Sequence, residues 1–575
     1  MAYNIRSVVQ NEGMKIFILV LWIISNAVMF YFSYQKYCSG AQYYYLRRIL
    51  GESLCVSRAT AFLLYFNCFL ILLPVCKSLL TWLRVHIQKY IKGAHRRLFN
   101  HNNKFHIVIG ISVVVLSLIH TFSHAANCYR FYVHFSEDNP ELNISADKDN
   151  INILLFLKKL PVYTGIAMLL ILAVLVFGSL PPVRRSRFEI FWYSHHLSIA
   201  FFAFLVVHGF GGIVKYQTNI EEHHPGCEFM MKMKNSNFTQ RCEGKPNFAP
   251  DPPQAWKWIV APLFLYAIEK IVRFISARKP IQVTKAIFHS GEILELRMKK
   301  QGFSALPGQF VRLNCRDISH LEWHPFTLTE CPTEESSEFA VHIKVAGDWT
   351  ELLATLLQNM VIVNKHVSRV GDSWTISVQD TNPGVMAIPV EETIMRLQVD
   401  GPYGSPFQDV SRFRVAFIIT TGIGVTPFAA VLNHIRHTIE ESKSYGKLTK
   451  LYFLWVCKTH DDFSWFLDIL YRTNIQLNSN AEEEMMSTRL FVTRSQALSE
   501  MDPSLYDQRR QWLVNHLQCR RPVWKEEFEK IDCQHENERI GVFFCGSKAI
   551  HPTLHQICNK KTNQKNTYVF HKESF

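Results

Sequence analysis

The first half of the chain consists mainly of long apolar runs. Six of them are long enough to cross a hydrocarbon layer of about 30 Å, which takes roughly 20 helical residues. This pattern predicts a bundle of six transmembrane helices, whose first member is an uncleaved span and not a signal peptide. The runs lie near residues 14–33, 59–83, 105–127, 163–181, 190–212 and 256–275.

The second half of the chain, after Lys279, follows a shorter period. Apolar and polar residues alternate in IQVTKAIF, EILELRMK, GQFVRLNC and EFAVHIKV, which predicts a small antiparallel β-barrel. Farther on, RVAFIITTGIGVTPFAAVLNHIRH predicts a buried strand, a tight loop at Gly422 and Gly424, and a helix that begins near Pro427. KLYFLWVC and RIGVFFCGS predict more buried strands, so this part is expected to be an α/β layer.

The expected fold is therefore multi-domain. A six-helix α transmembrane bundle is expected over residues 1–279, a β-barrel domain over 280–408 and an α/β domain over 409–575.

The formal net charge of the 575 residues is +14 at pH 7. Six spans would place three basic clusters on one side of the membrane, and such clusters mark the cytoplasmic side. Both termini would then be cytoplasmic too, although Arg47, Arg48 and Arg58 in the first outer loop depart from the rule. Because the charge mostly reflects these anchors, it does not indicate nucleic-acid binding. The clusters are Lys89, Lys92, Arg96 and Arg97, then Arg184, Arg185 and Arg187, then Arg273, Arg278 and Lys279.

Glycosylation sequons and cysteines agree with this orientation. The sequons at Asn143 and Asn237 fall in loops that the six spans would place outside. Cys227 and Cys242 share one of these loops and could form a disulfide there. The cysteines of the second half are expected to be reduced thiols, since no CxxC or zinc-type spacing appears.

Histidines interrupt two of the apolar runs, where a polar side chain is costly and usually functional. In KFHIVIGISVVVLSLIHTFSH, His106 and His120 are 14 residues apart. They share a helix face within about 40° and are separated by about 21 Å along the axis. In FWYSHHLSIAFFAFLVVHG, His195 and His208 are 13 residues apart. That spacing leaves about 220° of rotation, so a bend in the second helix must bring both to one side.

Two helices that each carry an inner and an outer histidine could ligate two stacked haems. His124 and His196 are competing ligands, and His124 could instead belong to a proton relay. An ordinary hydrogen bond to a neighbouring helix is the alternative for any single histidine. Arg58, just before the second run, could pair with a haem propionate or lie at the interface as a snorkelling side chain.

Motifs along nearly the whole chain resemble the catalytic subunit of the superoxide-generating NADPH oxidases, in particular the phagocyte-type branch. The resemblance implies a ferric-reductase-like membrane domain that holds two b-type haems, followed by a cytosolic module similar to ferredoxin–NADP reductase. By position, His106 and His195 would hold the inner haem, and His120 and His208 the outer one. The motifs are NEG, YFNCFLILLPVC, FEIFWYSHHL, WKWIVAPLFLY, WHPFTLT, GDWTE, DGPYG, GIGVTPFA, RIGVFFCG and FHKESF.

The same resemblance implies the sites of FAD and NADPH. Cys545 and Gly546 would lie near the nicotinamide, and terminal Phe575 would cover the flavin, so that Cys545 and Phe575 are the catalytic candidates. Lys458 and Arg521 stand where the family places basic residues for the 2′-phosphate, and an ordinary solvated basic surface is the alternative. The flavin residues would be Trp323, His324, Pro325, Phe326, Thr327, His342 and Lys344, with a phosphate near Gly347 at the start of a helix. The pyrophosphate residues would be Gly422, Gly424, Thr426 and Pro427.

Three features depart from the family pattern. Thr420 replaces a usual glycine, and Lys344 replaces a usual arginine, which loses a bidentate contact to the flavin phosphate. The segment 360–390 contains more residues than the phagocyte-type pattern has at this place. No calcium-binding extension is recognised, so direct regulation by calcium is not expected.

The resemblance implies electron transfer from cytosolic NADPH through FAD and two haems to oxygen on the outer side, with superoxide as product. A small membrane subunit and cytosolic activator proteins are the implied partners, in the plasma membrane or a phagosomal or other endomembrane. The alternatives are a transmembrane ferric or cupric metalloreductase, which differs only in its acceptor, and a proton-conducting subunit that uses His124.

Overall fold

The computed structural model describes residues 5–90, 102–145, 147–225, 227, 242–289, 291–334, 336–367, 386–389, 396–441, 444–479, 484–494, 508–562 and 565–573. The chain divides into two compact units. The helical unit comprises residues 16–76 and 101–269, and the mixed unit comprises residues 1–15, 77–100 and 270–575.

The helical unit is built from apolar helices. Among the described residues, five segments are long and apolar enough to cross a membrane: Asn11–Ser39, Glu52–Val75, Asn102–Val133, Leu160–Ser179 and Phe188–His208. The sixth predicted run, 256–275, is helical as well, but its helix is not among these five segments. The helices are α1 Ile5–Ser39, α2 Tyr44–Leu50, α3 Glu52–Leu72, α4 Lys77–Tyr90, α5 Asn102–Val133, α6 Ile153–Leu157, α7 Leu160–Ser179, α8 Pro181–Ser186, α9 Phe188–His195, α10 Ser198–His208 and α11 Ala255–Ala277. Helix α4 belongs to the mixed unit, and α1 and α11 each contribute residues to both units.

Helix α3 forms the centre of the helical unit. Its buried residues include polar Ser57, Thr60 and Asn67, each of which makes a hydrogen bond. The other long helices expose large apolar side chains, such as Phe122 at 72% and Ile199 at 68%. Apolar patches of this size are rare on water-facing surfaces and fit contact with lipid.

Between α10 and α11 lies a short antiparallel hairpin, in which β1 Lys215–Gln217 pairs with β2 Phe248–Pro250. Cys227 and Cys242 form a disulfide in the intervening segment, which confirms that expectation. The sequon at Asn237 lies outside the described residues, whereas Asn143 is half-buried and donates its side-chain amide to the Ser136 carbonyl at 2.7 Å.

The first layer of the mixed unit is a curled antiparallel sheet, as predicted. Seven strands follow the order β8-β3-β4-β7-β6-β5-β9. Their alternating apolar residues enclose one core that includes Leu294, Val311 and Val341, because successive side chains of a strand face opposite sides. The strands are β3 Ile281–His289, β4 Ile293–Lys300, β5 Phe310–Cys315, β6 His324–Glu330, β7 Glu338–Lys344, β8 Met386–Pro389 and β9 Leu397–Tyr403, and α12 Asp348–Val367 follows β7.

The second layer of the mixed unit is a parallel sheet in the order β13-β12-β11-β10-β14-β15. Central β10 is buried from Val415 to Thr420 and has a core on each face, which explains its unbroken apolar run. The chain runs outward from β10 in both directions, so the crevice beside its carboxyl end is the expected ligand site. The elements are β10 Val415–Thr421, α13 Thr426–Glu440, β11 Lys450–Cys457, α14 Ser464–Ser479, β12 Met486–Val492, α15 Gln508–His516, β13 Leu517–Gln518, α16 Trp524–Gln534, β14 Arg539–Cys545, α17 His551–Lys561 and β15 Thr567–Glu573.

Candidate functional site

The uninterrupted helix α5 carries His106 and His120 on one face, as their spacing predicts. The Nδ1–H of His106 donates to the Ile71 carbonyl at 2.9 Å. The Nδ1–H of His120 donates to the Ser57 carbonyl at 3.0 Å. Both bonds fix the ring and leave Nε2 with its lone pair, which is the form of histidine that binds metals.

The partner histidines lie on two helices instead of one. A break at His196 and Leu197 separates α9 from α10, and the amide of Leu197 bonds to the Ser194 carbonyl at 3.0 Å, three residues back. Such a tightened turn changes the angle around the helix axis between the side chains of His195 and His208. The structure therefore departs from an ideal helix between the two histidines, at His196 and Leu197.

The break brings four histidines together in two pairs. The ring centroids of His106 and His195 are 6.2 Å apart, and those of His120 and His208 are 6.3 Å apart. Two imidazoles on one metal, at bonds of about 2.0 Å, would have centroids about 6 Å apart. Both pairs have the spacing of a bis-histidine haem site.

The second pair has its orientation fixed on both rings. Thr164 donates its hydroxyl hydrogen to the Leu160 carbonyl at 2.6 Å, so its oxygen accepts from Nδ1–H of His208 at 3.0 Å. In the first pair, the buried Nδ1 of His195 has no hydrogen-bond partner within the described part of the chain. Three of the four rings thus present Nε2 to the gap between them.

A cavity of about 350 Å³ adjoins the second pair. His120 and His208 line it together with Arg58 and Asp251. Arg58 donates to the Asp251 carboxylate and to the Tyr37 hydroxyl, both at 3.0 Å. A half-buried cation that lines this cavity could pair with an anionic haem propionate, which is one of the two roles that the sequence left open for Arg58.

The two competing histidines occupy different surroundings. His124 lines the same cavity, and its ring centroid is 4.5 Å from that of His120. His196 is exposed and donates from Nδ1 to the Trp192 carbonyl at 2.7 Å. Neither of them forms a facing pair across helices like the other four.

In the mixed unit, the predicted flavin residues lie on β6 and beside it. The ring of His324 stacks on Trp349 with centroids 4.4 Å apart, and Phe326 lies 6.1 Å from the same indole. Thr327 is buried, Pro325 is exposed and Trp323 is half-buried just before the strand. Trp349 is 5% exposed, and its buried indole N–H finds no acceptor among the described residues. This unfilled donor fits a ligand that supplies an oxygen or nitrogen atom.

Two other predicted flavin residues, His342 and Lys344, face different surroundings. His342 is buried and shares the Glu295 carboxylate with His289, at 3.4 Å and 2.8 Å. Burial raises the pKa of Glu295, but these histidines and Arg297 outweigh it and hold that pKa well below its usual range. Lys344 is exposed and donates to the Gly291 carbonyl at 3.2 Å. Gly347 is exposed immediately before α12.

The predicted pyrophosphate loop lies at the carboxyl end of β10, where Gly422 and Gly424 lead into α13. A side chain at Gly424 would place its Cβ 2.5 Å from the Cys545 carbonyl oxygen, so the two backbones touch here. Gly422 has φ +53 and open space around it, and its carbonyl accepts from the Trp455 indole at 3.0 Å. Thr426 and Pro427 are buried in the first turn of α13, whose N–H groups favour an anion.

Cys545 ends the neighbouring strand β14 and is 4% exposed. Burial raises the pKa of its thiol, so the group is neutral near pH 7. Gly546 follows with φ +151, and a Cβ there would meet the Thr421 hydroxyl at 2.1 Å. Thr420 is fully buried, and its hydroxyl has no hydrogen-bond partner in the described residues.

The basic residues predicted for the 2′-phosphate lie at the same edge of the sheet. Lys458 follows β11, Arg521 follows β13, and both are exposed. Sequence reasoning missed Arg494, which follows β12 between them and whose amide bonds to the Lys458 carbonyl at 3.1 Å. The strand order would have indicated it, because parallel strands end side by side.

Other missed groups surround the DGPYG turn. Arg273 donates to the Asp400 carboxylate at 2.8 Å, and the ammonium of Lys77 lies 5.5 Å from the centre of the Phe310 ring. Burial, with the charges of Arg312 and Arg273, lowers the pKa of Lys77 to about 7. The predicted catalytic residue Phe575 lies outside the described residues.

Three family models match the chain in consecutive segments. The ferric reductase like transmembrane component matches residues 60–206, the FAD-binding domain 278–407 and the ferric reductase NAD binding domain 413–559. The membrane domain, the FAD domain and the nucleotide domain therefore follow in the predicted order.

Relatives match over the full length. The chain is 34% identical to NADPH oxidase 4 of Homo sapiens, with 100% of both chains covered. It is 32% identical to NADPH oxidase 3 of Homo sapiens and 31% identical to NADPH oxidase 1 of Rattus norvegicus, with 98% of this chain and 99% of each relative covered. A solved ferredoxin–NADP+ reductase from Plasmodium falciparum matches with a TM-score of 0.29 and 11% identity, covering 51% of this chain and 95% of that chain. The chain belongs to the NADPH oxidase family and is a multi-pass membrane oxidoreductase that transfers electrons from NADPH to oxygen across the membrane.

Proposed function

We propose that the electrons cross the helical unit through two b-type haems and leave as superoxide. His106 and His195 would hold one haem, and His120 and His208 the other. The observation that carries this proposal is the pair of ring-centroid distances, 6.2 Å and 6.3 Å, together with the Nδ1 hydrogen bonds that leave Nε2 available in three of the four rings. The ferric-reductase-like match over residues 60–206 supports it as well.

When bound, the flavin turns a two-electron hydride donor into single electrons, and the haems relay these. The chain's own residues position these groups. Ile71, Ser57 and Thr164 fix the imidazole tautomers through hydrogen bonds to Nδ1. Arg58, held by Asp251, would neutralise a propionate in the cavity. His106, His195, His120 and His208 would hold the two groups, which would supply single electrons for the reduction of oxygen.

In the mixed unit, the FAD would contact the β6 segment through Trp323, His324, Pro325, Phe326 and Thr327, with His342, Lys344 and Gly347 nearby. The unfilled Trp349 indole N–H supports this placement. Phe575 would cover the flavin where the nicotinamide enters.

NADPH would place its pyrophosphate on the loop of Gly422, Gly424, Thr426 and Pro427. Its nicotinamide would lie beside Cys545 and Gly546, and Lys458, Arg494 and Arg521 would neutralise the 2′-phosphate. The meeting of the β10 and β14 ends, with three exposed cations at the same edge, supports this assignment.

The functional division would be a di-haem domain over 1–279, an FAD domain over 280–408 and an NADPH domain over 409–575. Both termini would be cytoplasmic, in the plasma membrane or a phagosomal or other endomembrane. Glycans at Asn143 and Asn237 would mark the outer side. Glycosidase treatment should then change the electrophoretic mobility of the protein, and Asn143→Gln and Asn237→Gln should abolish that change. A small membrane subunit and cytosolic activators would be its partners.

The haem assignment is tested on purified full-length protein by reduced-minus-oxidised spectra and by haem counted per chain. Wild type is expected to contain two low-spin b-type haems, and His195→Ala and His208→Ala one or none. His196→Ala is the matched control, because its exposed ring bonds only within its own turn. Two haems in both ligand variants, or haem loss only in the control, would refute the assignment.

The acceptor is tested on the same preparations with NADPH. Cytochrome c reduction that superoxide dismutase abolishes is expected for an oxidase. Ferric chelate reduction that is insensitive to superoxide dismutase would show a metalloreductase instead.

A further inference from the structure

A cluster of two thiols and a carboxylate lies between the ends of α1 and α3, apart from the histidine pairs. The Sγ atom of Cys38 lies 3.5 and 3.8 Å from the two carboxylate oxygens of Glu52. A ligand atom from Cys38, Glu52 and Cys55 each lies within 4.8 Å of the other two. Cys55 is fully buried, Cys38 is partly buried and Glu52 is exposed, so the cluster opens to solvent on the carboxylate side.

Helix geometry produces this cluster from residues distant in sequence. Tyr34 and Cys38 are four residues apart on α1, and Glu52 and Cys55 are three apart on α3, so each pair shares a helix face. The Tyr34 hydroxyl donates to the same Glu52 carboxylate that Cys38 contacts. Two pairs of polar groups from different helices therefore face each other at one point.

We propose that Cys38, Glu52 and Cys55 bind a thiophilic divalent cation of the zinc class. A tetrahedral zinc ion with bonds of about 2.3 Å to sulfur and 2.0 Å to oxygen places these ligand atoms about 3.5 Å apart. The distances from Cys38 to Glu52 match that value. Thiolates select such a cation over calcium and magnesium, and three protein ligands leave one position for water.

The charges around the cluster fit a bound cation. Two thiolates and one carboxylate carry three negative charges, of which a divalent cation neutralises two. The guanidinium of Arg130 lies against Gly51, the residue before Glu52, and offsets the remaining charge. Binding would release the thiol protons to solvent.

The cation would connect two helices that support the cavity beside His120 and His208. Tyr37 precedes Cys38, and Arg58 lies one turn after Cys55 on α3. Both belong to the hydrogen-bonded group around Asp251. Occupation of the cluster would therefore fix the segments that hold Arg58 at the cavity wall.

The test uses purified full-length protein that has been reduced and washed with a chelator. Zinc chloride is titrated against a chromophoric chelator, and X-ray absorption at the zinc edge counts sulfur neighbours. Wild type is expected to bind one zinc with two sulfur neighbours and to melt at a higher temperature with zinc.

Cys38→Ser and Glu52→Gln are each expected to weaken zinc binding at least about tenfold and to lose the thermal shift. Exposed Glu52 gives a variant that keeps both thiols and the fold. Cys533→Ser, which removes an exposed free thiol of the mixed unit, is the control and is expected to bind like wild type.

Three outcomes would overturn the proposal. These are no zinc bound by wild type, equal affinity in all variants, or a Cys38–Cys55 disulfide found by mass spectrometry in protein isolated without reductant.

Discussion

The candidate sites of the two units are built in opposite ways. In the helical unit, four imidazole side chains define the site, and backbone carbonyls and hydroxyls only orient them. In the mixed unit, strand ends and a glycine loop define the nucleotide edge, and the backbone of Gly424 touches that of Cys545.

This difference has a physical cause. Backbone groups inside a membrane helix are already bonded to one another, so only side chains remain to hold a cofactor. At the carboxyl edge of a parallel sheet, the backbone N–H groups of the next helix are free to bind phosphate. Cofactor binding in the helical unit should therefore be most sensitive to the loss of a charged side chain. Nucleotide binding in the mixed unit should be most sensitive to a Cβ atom added at a glycine.

Asp251→Asn should have the largest effect, because it leaves the Arg58 guanidinium, whose side chain is only 19% exposed, without its carboxylate. Removal of one partner of a buried ion pair costs about 3–5 kcal/mol. We expect a lower melting temperature and loss of the haem proposed to lie beside the cavity, measured by thermal unfolding and haem content. Exposed Asp147→Asn should change neither, and similar behaviour of the two variants would show that the Arg58–Asp251 pair contributes little.

Gly424→Ala should come next. Its Cβ would overlap the Cys545 carbonyl, and such overpacking costs about 1–3 kcal/mol. Because the displaced loop is the proposed pyrophosphate site, we expect KM for NADPH to rise at least tenfold while the haem content stays constant. Gly422→Ala is the matched control, because a Cβ at Gly422 would meet open space. Its only cost is the strain of an alanine in the left-handed backbone conformation, about 1 kcal/mol. An equal rise in KM for both would contradict the close-approach argument.

Glu295→Gln should destabilise β4 by about 2 kcal/mol at pH 7, since it removes charge-assisted hydrogen bonds. The pKa of Glu295 in the folded protein lies below the ordinary 4.5. Its contribution is therefore complete above about pH 4.5 and is lost as pH falls toward the folded-state pKa. Hydrogen exchange of β4 from pH 7 downward should show the difference between wild type and variant shrinking only below pH 4.5.

The control for that experiment is Glu338→Gln, whose partner Lys299 is largely exposed. It should cost less than about 1 kcal/mol at any pH. A difference for Glu295→Gln that is independent of pH would mean that its carboxylate charge is not involved.

Arg494→Ala should have the smallest effect. Removal of one exposed cation from the proposed 2′-phosphate site should raise KM for NADPH about tenfold, or about 1.4 kcal/mol. KM for NADH should not change, because NADH lacks that phosphate. Lys447→Ala removes an exposed cation just before β11, at the opposite, amino end of the sheet, and should leave both constants unchanged. A parallel rise for NADPH and NADH would place Arg494 outside the phosphate site.

The sequence determined the elements and most of the chemistry. Apolar runs of 20 residues could only be membrane helices, and alternating and continuous short runs distinguished the antiparallel sheet from the parallel one. His106 and His120 were assigned to one face because a continuous helix has a fixed rotation per residue.

Only the tertiary structure decided what depends on contacts between distant segments. The 13-residue spacing in the second run required a departure from an ideal helix, and only the structure places a tightened turn at His196 and Leu197. The sequence showed no zinc-type spacing, yet two helices bring Cys38 and Cys55 together. Arg494 joined Lys458 through the strand order. The backbone of each segment sets its local periodicity. Contacts between distant residues depend instead on how whole helices and strands pack, and no short stretch of sequence contains that information.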